Sequence, residues 1–324
     1  MLEITRLTPL PSLSPVDHER ARCLRVGLVQ HRWNQDAAVL KAELAEGIAR
    51  AAGLGASVVF LPELTLSRYP ADSYPDTDLP VEQAEDLRSG PTLEFAAEQA
   101  RKNGVSVHAS LYQKVDDGDG LGLNTAILVG ADGELLGATN KLHIPVSAGY
   151  YEDHYFRAGP AEGNPYPVYQ LTGSGGAESA ALGMPTCWDE WFPELARIYS
   201  LAGAELLVYP TAIGSEPTYP GFDTQPLWQQ VIVGNGIANG LFMAVPNRWG
   251  DEGSVNFYGS SFISDPYGRI LVQAPRAESA VLVAELDLNQ RKDWLTLFPF
   301  HETRRPDTYS PLLAPAPARS GAHS

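Results

Sequence analysis

The feature that most constrains this chain is a recurring pair: a short, unbroken apolar run, then a segment with apolar residues at helical spacing. Residues 24–29 form such a run, and 37–52 follow with Leu40, Leu44, Ile48 and Ala51 three or four positions apart. A run without alternation reads as a strand buried on both faces, and a stripe of period 3.6 reads as a helix laid against it. Residues 57–62 repeat the run, 64–90 read mostly as loop, and 91–103 repeat the helix with Gly104 as its stop. Strands are expected at 105–111, 124–130 and 134–139, the last two joined by a turn at Ala131-Asp132-Gly133. The second half begins again: strand 181–186, helix 191–202, strand 205–210, helix 227–239, strand 241–246. A meander over 256–264, 269–273 and 280–286 ends it. Two such halves suggest two sheets packed together with helices outside; periodicity alone leaves a single doubly wound sheet equally open.

Charge and cysteine usage narrow the function. The 324 residues carry a net charge of −16, which is not the footprint of a nucleic-acid binder and lacks the polybasic stretch that anionic membranes attract. Cys23 and Cys187 cannot make a disulfide framework, and neither C-x-x-C nor H-E-x-x-H occurs, so no metal site is expected. The leucines of residues 1–22 are broken by Pro9, Pro11 and Pro15, which is not a secretory signal, and no apolar stretch approaches the ~18 residues of a membrane span. The expectation is a cytoplasmic protein with reduced thiols.

In sheets of this kind ligands bind beyond the carboxyl ends of the strands. Glu63 follows one run, Lys141 another and Cys187 a third; Tyr209-Pro210-Thr211 and Asn247-Arg248 end two more. Singly, each has an ordinary explanation: a helix cap, a surface charge, a small buried hydrophobe. Together, a carboxylate, an ammonium and a thiol at strand ends suggest one converging site. Cys187 also stands just before a helix, where the N-terminus lowers a thiol pKa. Other enzyme signatures are missing. There is no G-x-S-x-G nucleophile elbow and no G-x-G-x-x-G, and no signature pairs Cys187 with His108, His143 or His154. The reading from another class is a catalytically silent binding scaffold, against which the complete Glu63, Lys141 and Cys187 set argues.

Three ordered motifs carry a resemblance: Leu61-Pro62-Glu63-Leu64, Asn140-Lys141-Leu142-His143-Ile144-Pro145, and Cys187-Trp188-Asp189-Glu190-Trp191-Phe192-Pro193-Glu194. The chain resembles the nitrilase (carbon–nitrogen hydrolase) superfamily from about residue 24 to 309. The segments 209–217, Asn247-Arg248, 257–262 and 305–309 are similar to its N-carbamoylputrescine amidase branch. The resemblance implies an α/β fold, a four-layer α-β-β-α sandwich of two sheets packed face to face. It implies one domain over 24–309 between an extension at 1–23 and a C-terminal tail at 310–324 expected to be disordered. It also implies no cofactor and a homodimer or higher homo-oligomer, with Trp191, Phe192, Ile198 and Tyr199 serving either a subunit contact or the core.

The implied mechanism makes Cys187 the nucleophile, Glu63 the proton carrier, Lys141 and the Trp188 N–H the oxyanion donors, and Glu152 a positioning group. Tyr69, Trp188, Glu190, Thr211, Asn247 and Arg248 are the expected substrate contacts. Two positions depart from the branch: Val146 stands where it has an acid, and Glu190 where it has glutamine. Glu190 is therefore expected to supply the missing anion, or else to cap its helix. The implied substrate is a small linear amide, an N-carbamoyl amine neutral or cationic at its far end. Carbamoyl amino acids, aliphatic amides and nitriles are the alternatives.

Overall fold

The unbroken apolar runs become the central strands of two sheets in a computed structural model that describes residues 1–77, 79–172 and 178–315. The first half carries β1 (Leu2–Arg6), β2 (Cys23–Gln30), α1 (Ala37–Gly53), β3 (Val58–Phe60), α2 (Pro91–Asn103), β4 (Ser106–Gln113), β5 (Leu123–Val129) and β6 (Leu135–Asn140). The second begins with β7 (Val168–Leu171), β8 (Ala180–Gly183), α3 (Pro193–Leu201), β9 (Leu206–Val208), α4 (Gln225–Asn239) and β10 (Phe242–Val245). It continues through β11 (Trp249–Asp251), β12 (Asn256–Tyr258), β13 (Phe262–Ser264), β14 (Ile270–Gln273), β15 (Ala280–Asp287) and α5 (Asn289–Leu297).

One sheet runs β1-β15-β2-β3-β4-β5-β6 and the other β14-β13-β10-β9-β8-β7. Each has three parallel strands at its centre, β2-β3-β4 and β8-β9-β10, joined by helical crossovers. Leu28, Phe60, Leu128, Leu182, Val208 and Leu282 interdigitate between the sheets. Leu40, Leu44 and Ile48 of α1 and Phe95 of α2 pack on the outer face of the first sheet, and Leu195 of α3 with Trp228 and Ile232 of α4 on that of the second. The result is the four-layer sandwich. Burial on both faces is why the central strands lack polar alternation.

Local chemistry sets the helix ends. The Asp36 carboxylate accepts from the backbone N–H of Ala38 and Val39 at the start of α1. Gly104 closes α2 with a φ of 66°, a left-handed conformation that glycine adopts without a Cβ clash.

Some elements lacked a sequence signal. Leu2–Arg6 belongs to the expected extension yet pairs in parallel with β15, and its residues are mostly exposed, so no apolar run marks it. The strand expected over 256–264 divides into β12 and β13, because Gly259 and Ser260 both take positive φ, 54° and 60°. The helix expected over 191–202 starts at Pro193, after a separate 3₁₀ turn over Cys187–Trp191. Tyr199 belongs to the core, whereas Ile198 is partly exposed. Of the tail, Ser310–Leu313 forms a 3₁₀ turn, and residues 316–324 lie outside the described residues. Among the described residues no helix is long and apolar enough to cross a membrane.

Leu182 is fully buried between the sheets on β8, the strand that leads to Cys187. Leu182→Ala should cost ~2–5 kcal/mol, read as a lower urea midpoint at unchanged slope. A loss under about 0.5 kcal/mol would mean that the sheets do not pack tightly there.

Candidate active site

Beyond β3 the chain turns sharply. Leu64 has a φ of 50°, strained for a leucine, and three hydrogen bonds hold the turn. Leu64 N–H donates to Ser110 Oγ at 3.1 Å, Thr65 N–H to the Ser110 carbonyl at 2.8 Å, and Thr65 Oγ1 to the Pro62 carbonyl at 2.8 Å. This turn places the Glu63 side chain in a fully buried position. Its Oε1 accepts from Asn124 Nδ2 at 2.7 Å and Lys141 Nζ at 3.0 Å. Its Oε2 is buried with no partner among the described residues.

Asn124 of β5 does a second job: its carbonyl accepts the Lys141 N–H at 2.8 Å, which fixes the start of the lysine side chain. Lys141 is itself fully buried, and Nζ reaches Glu152 Oε2 at 2.6 Å. The other Glu152 oxygen accepts from Tyr69 Oη at 2.8 Å. Burial pushes the lysine pKa down most strongly, but Glu152 and Glu63 together outweigh it, so the ammonium is held well above its ordinary value. Burial raises the Glu152 carboxyl, and Lys141 opposes that rise.

The third segment follows β8. Cys187 has a φ of 42°, and its N–H donates to the Pro210 carbonyl at 3.1 Å. The Asp189 carboxylate ties this turn to the lysine loop: it accepts from Thr186 N–H at 3.1 Å, His143 N–H at 3.0 Å and His143 Nδ1 at 2.7 Å. The His143 ring stacks on Phe192 at 3.7 Å. The helix N-terminus expected to lower the thiol pKa does not prevail. Burial raises the Cys187 thiol well above its ordinary value, Glu63 adds to the rise, and Lys141 only partly opposes it. These surroundings favour the neutral thiol over the thiolate.

A cavity of about 370 Å³ opens over Cys187. Its lining is mostly apolar: Pro145, Trp188, Trp191, Ala212, Ile213, Phe222 and Leu227, with Ser147, Tyr150, Tyr219, Thr224, Glu152 and Glu216. Among the described residues no lysine, arginine or histidine lines it. A larger recess of about 870 Å³ lies elsewhere, beside α5, and holds no cysteine.

The expected set thus divides. Glu63, Lys141, Glu152 and Cys187 come together, and Trp188 lines the cavity. Tyr69 stands behind Glu152. Glu190, Thr211, Asn247 and Arg248 are fully buried and, like Glu63 and Lys141, are not among the residues that line the cavity. The 3₁₀ turn directs Glu190 inward, where Oε1 accepts from Trp228 Nε1 at 2.7 Å; it caps no helix. Asn247 bonds the Ile213 and Gly259 carbonyls at 3.0 and 2.9 Å, and Arg248 pairs with Glu252 at 2.9 Å. His108, His143 and His154 make no hydrogen bond to Cys187 among the described residues. The sequence reading passed over Asn124, Asp189 and Glu216. Glu216 lies inside the 209–217 segment already noted, which was the available signal.

A carbon-nitrogen hydrolase family model matches residues 25–295. The chain is 33% identical to a citrullinase of Francisella tularensis over 90% of its own length and 98% of that protein's. It is 34% identical to an N-carbamoylputrescine amidase of Solanum lycopersicum, over 91% of this chain and 96% of that one. Its fold is similar to a carbon-nitrogen hydrolase crystal structure from Helicobacter pylori, with a TM-score of 0.76 and 29% identity over 91% of this chain and 99% of that one.

Burial also raises the Glu190 carboxyl well above its ordinary range. The folded chain then keeps a proton that the unfolded chain releases near pH 4.5. This contribution is complete below the unfolded pKa and is lost as pH rises through the folded one. Between about pH 5 and about pH 9, wild type should therefore lose melting temperature relative to Glu190→Gln. Parallel melting curves for the two proteins would show that Glu190 is ionised throughout.

Proposed function

The chain belongs to the carbon-nitrogen hydrolase (nitrilase) family and is an amide-cleaving enzyme of it; from that premise we propose that it hydrolyses an N-carbamoyl amine by covalent catalysis at Cys187. The observation that carries the chemistry is the buried Glu63 Oε2, which has no partner among the described residues while its carboxyl group is held by the Lys141 ammonium and acts electrostatically on the Cys187 thiol. A carboxylate oxygen left free at such a site is available to take a proton.

In the proposed sequence the thiol proton passes to Glu63 as Sγ bonds to the carbamoyl carbon. Lys141 and the Trp188 N–H stabilise the oxyanion; such a donor is worth ~3–4 kcal/mol. The C–N bond to the amine breaks, Glu63 returns the proton to the departing nitrogen, and Cys187 carries a carbamoyl group. Water then gives a proton to Glu63 and its oxygen to the carbonyl carbon. The C–S bond breaks, the thiol is restored, and the released carbamate decomposes to CO2 and ammonia. Glu152 holds Lys141 in place.

The lining supports the choice of substrate. Glu152 is engaged by Lys141 and Tyr69, whereas Glu216, half-buried, has no side-chain partner among the described residues. We assign Glu216 the distal ammonium that the sequence reading gave to Glu190. A substrate carboxylate would meet no cation among the described residues of this lining, and an unpaired buried charge is costly. That disfavours carbamoyl amino acids, citrulline included. A homodimer is proposed on the family resemblance alone, and a 35.0 kDa particle in light scattering at micromolar concentration would refute it.

Cys187→Ala and Glu63→Gln should stay folded and lose turnover by several orders of magnitude, with a Cys187 adduct found by intact mass only where Cys187 remains. Substantial turnover by Cys187→Ala would end the covalent reading. For specificity, kcat/KM should favour N-carbamoylputrescine over N-carbamoyl-β-alanine and citrulline. Glu216→Gln should lower that preference by ~10–100-fold, the scale of one charged hydrogen bond, and Glu190→Gln should leave it unchanged. A wild-type preference for citrulline would overturn the substrate and leave the hydrolase chemistry standing.

A further inference from the structure

Behind the cavity, Arg248 and Glu252 form an ion pair that touches neither the lining nor solvent. Arg248 Nη1 donates to both carboxylate oxygens of Glu252 at 2.9 Å. Its Nη2 donates to the carbonyls of Glu63 at 2.7 Å and Leu64 at 2.9 Å, and both nitrogens reach the Ser67 carbonyl at 3.2 Å. One planar guanidinium therefore grips three carbonyls of the turn that carries Glu63, including that of the strained Leu64. Glu252 meanwhile accepts the Tyr69 N–H at 2.9 Å. Tyr69 Oη bonds Glu152, Glu152 bonds Lys141, and Lys141 bonds Glu63, so the contacts close into a ring through both ends of Glu63.

A buried ion pair is a weak source of stability, because desolvation offsets the attraction. What this pair does supply is direction. A guanidinium fork is rigid, and lysine cannot reproduce it. We propose that Arg248 and Glu252 are positioning residues that act on the reaction through Glu63, holding its carboxylate against the Cys187 thiol. The inference rests on Glu63 being the base of the proposed mechanism.

The test compares Arg248→Lys and Glu252→Gln, each in wild-type and Glu63→Gln backgrounds. Three quantities are measured: kcat, KM, and the rate at which iodoacetamide alkylates Cys187, followed by the mass of its peptide so that Cys23 does not interfere. A displacement on the order of 1 Å costs about 100-fold. With Glu63 present, each substitution should lower kcat and the alkylation rate together by ~10–100-fold, with KM within about twofold. With Glu63→Gln, the same substitutions should change the alkylation rate by less than about twofold, since groups acting through one partner are not additive. Equal losses in both backgrounds, or a raised KM at constant kcat, would overturn the proposal, as would wild-type kcat in either folded variant. Should Arg248→Lys fail to fold, the shape-preserving Glu252→Gln carries the same comparison. A Glu63→Gln enzyme that turns over and alkylates like wild type would instead remove the base itself, and this role with it.

Discussion

A single ammonium, buried to zero exposure between two carboxylates, organises this molecule. An isolated lysine in such a place would give up its proton. Lys141 keeps it because Glu63 and Glu152 are within 3.0 and 2.6 Å, and each of those needs further support to remain there. Asn124 supports Glu63, Tyr69 supports Glu152, and Arg248 with Glu252 closes the circuit behind both. Burial raises the neighbouring Cys187 thiol, Glu63 adds to that rise, and the Lys141 ammonium only partly opposes it.

The two sheets are what make this cluster possible. Glu63 leaves the middle parallel strand of one sheet and Cys187 the first parallel strand of the other, so face-to-face packing brings together residues 124 positions apart in the chain. Cross-links then set the register. Asn124 joins the Glu63 carboxylate to the Lys141 backbone, and Asp189 joins the Lys141 loop to the Cys187 turn. These are short polar contacts in a dry interior, where an unmade hydrogen bond is expensive. A shift of one segment therefore moves the others.

Two further carboxyl groups near the thiol have contrasting surroundings. Glu190 is near Cys187 in sequence, but its carboxyl faces Trp228 and is held neutral by burial. Glu216 is 29 positions beyond Cys187 and lines the cavity with no side-chain partner among the described residues. Sequence proximity to the thiol does not by itself set where a side chain goes: within the turn over Cys187–Trp191, Glu190 is buried against Trp228 while Trp188 and Trp191 line the cavity.

The sequence by itself determined the strand and helix succession of the two halves and singled out Glu63, Lys141 and Cys187 as a candidate site. Unbroken apolar runs record burial on both faces, and these three residues sit where those runs end. It did not reveal β1, whose exposed residues carry no periodic signal, or the break at Gly259 and Ser260, which backbone conformation sets. Its periodicity did not separate one sheet from two, since a buried strand reads alike in either; the three motifs did, through the family they resemble. Tertiary structure alone decided which partners the polar residues find. Arg248, Asn247 and Thr211 follow apolar runs just as Glu63 does, and all four are buried, but these three bond backbone carbonyls whereas Glu63 keeps one carboxylate oxygen with no partner among the described residues. A polar residue at a strand end must find partners somewhere, and only packing determines whether those partners are protein or ligand.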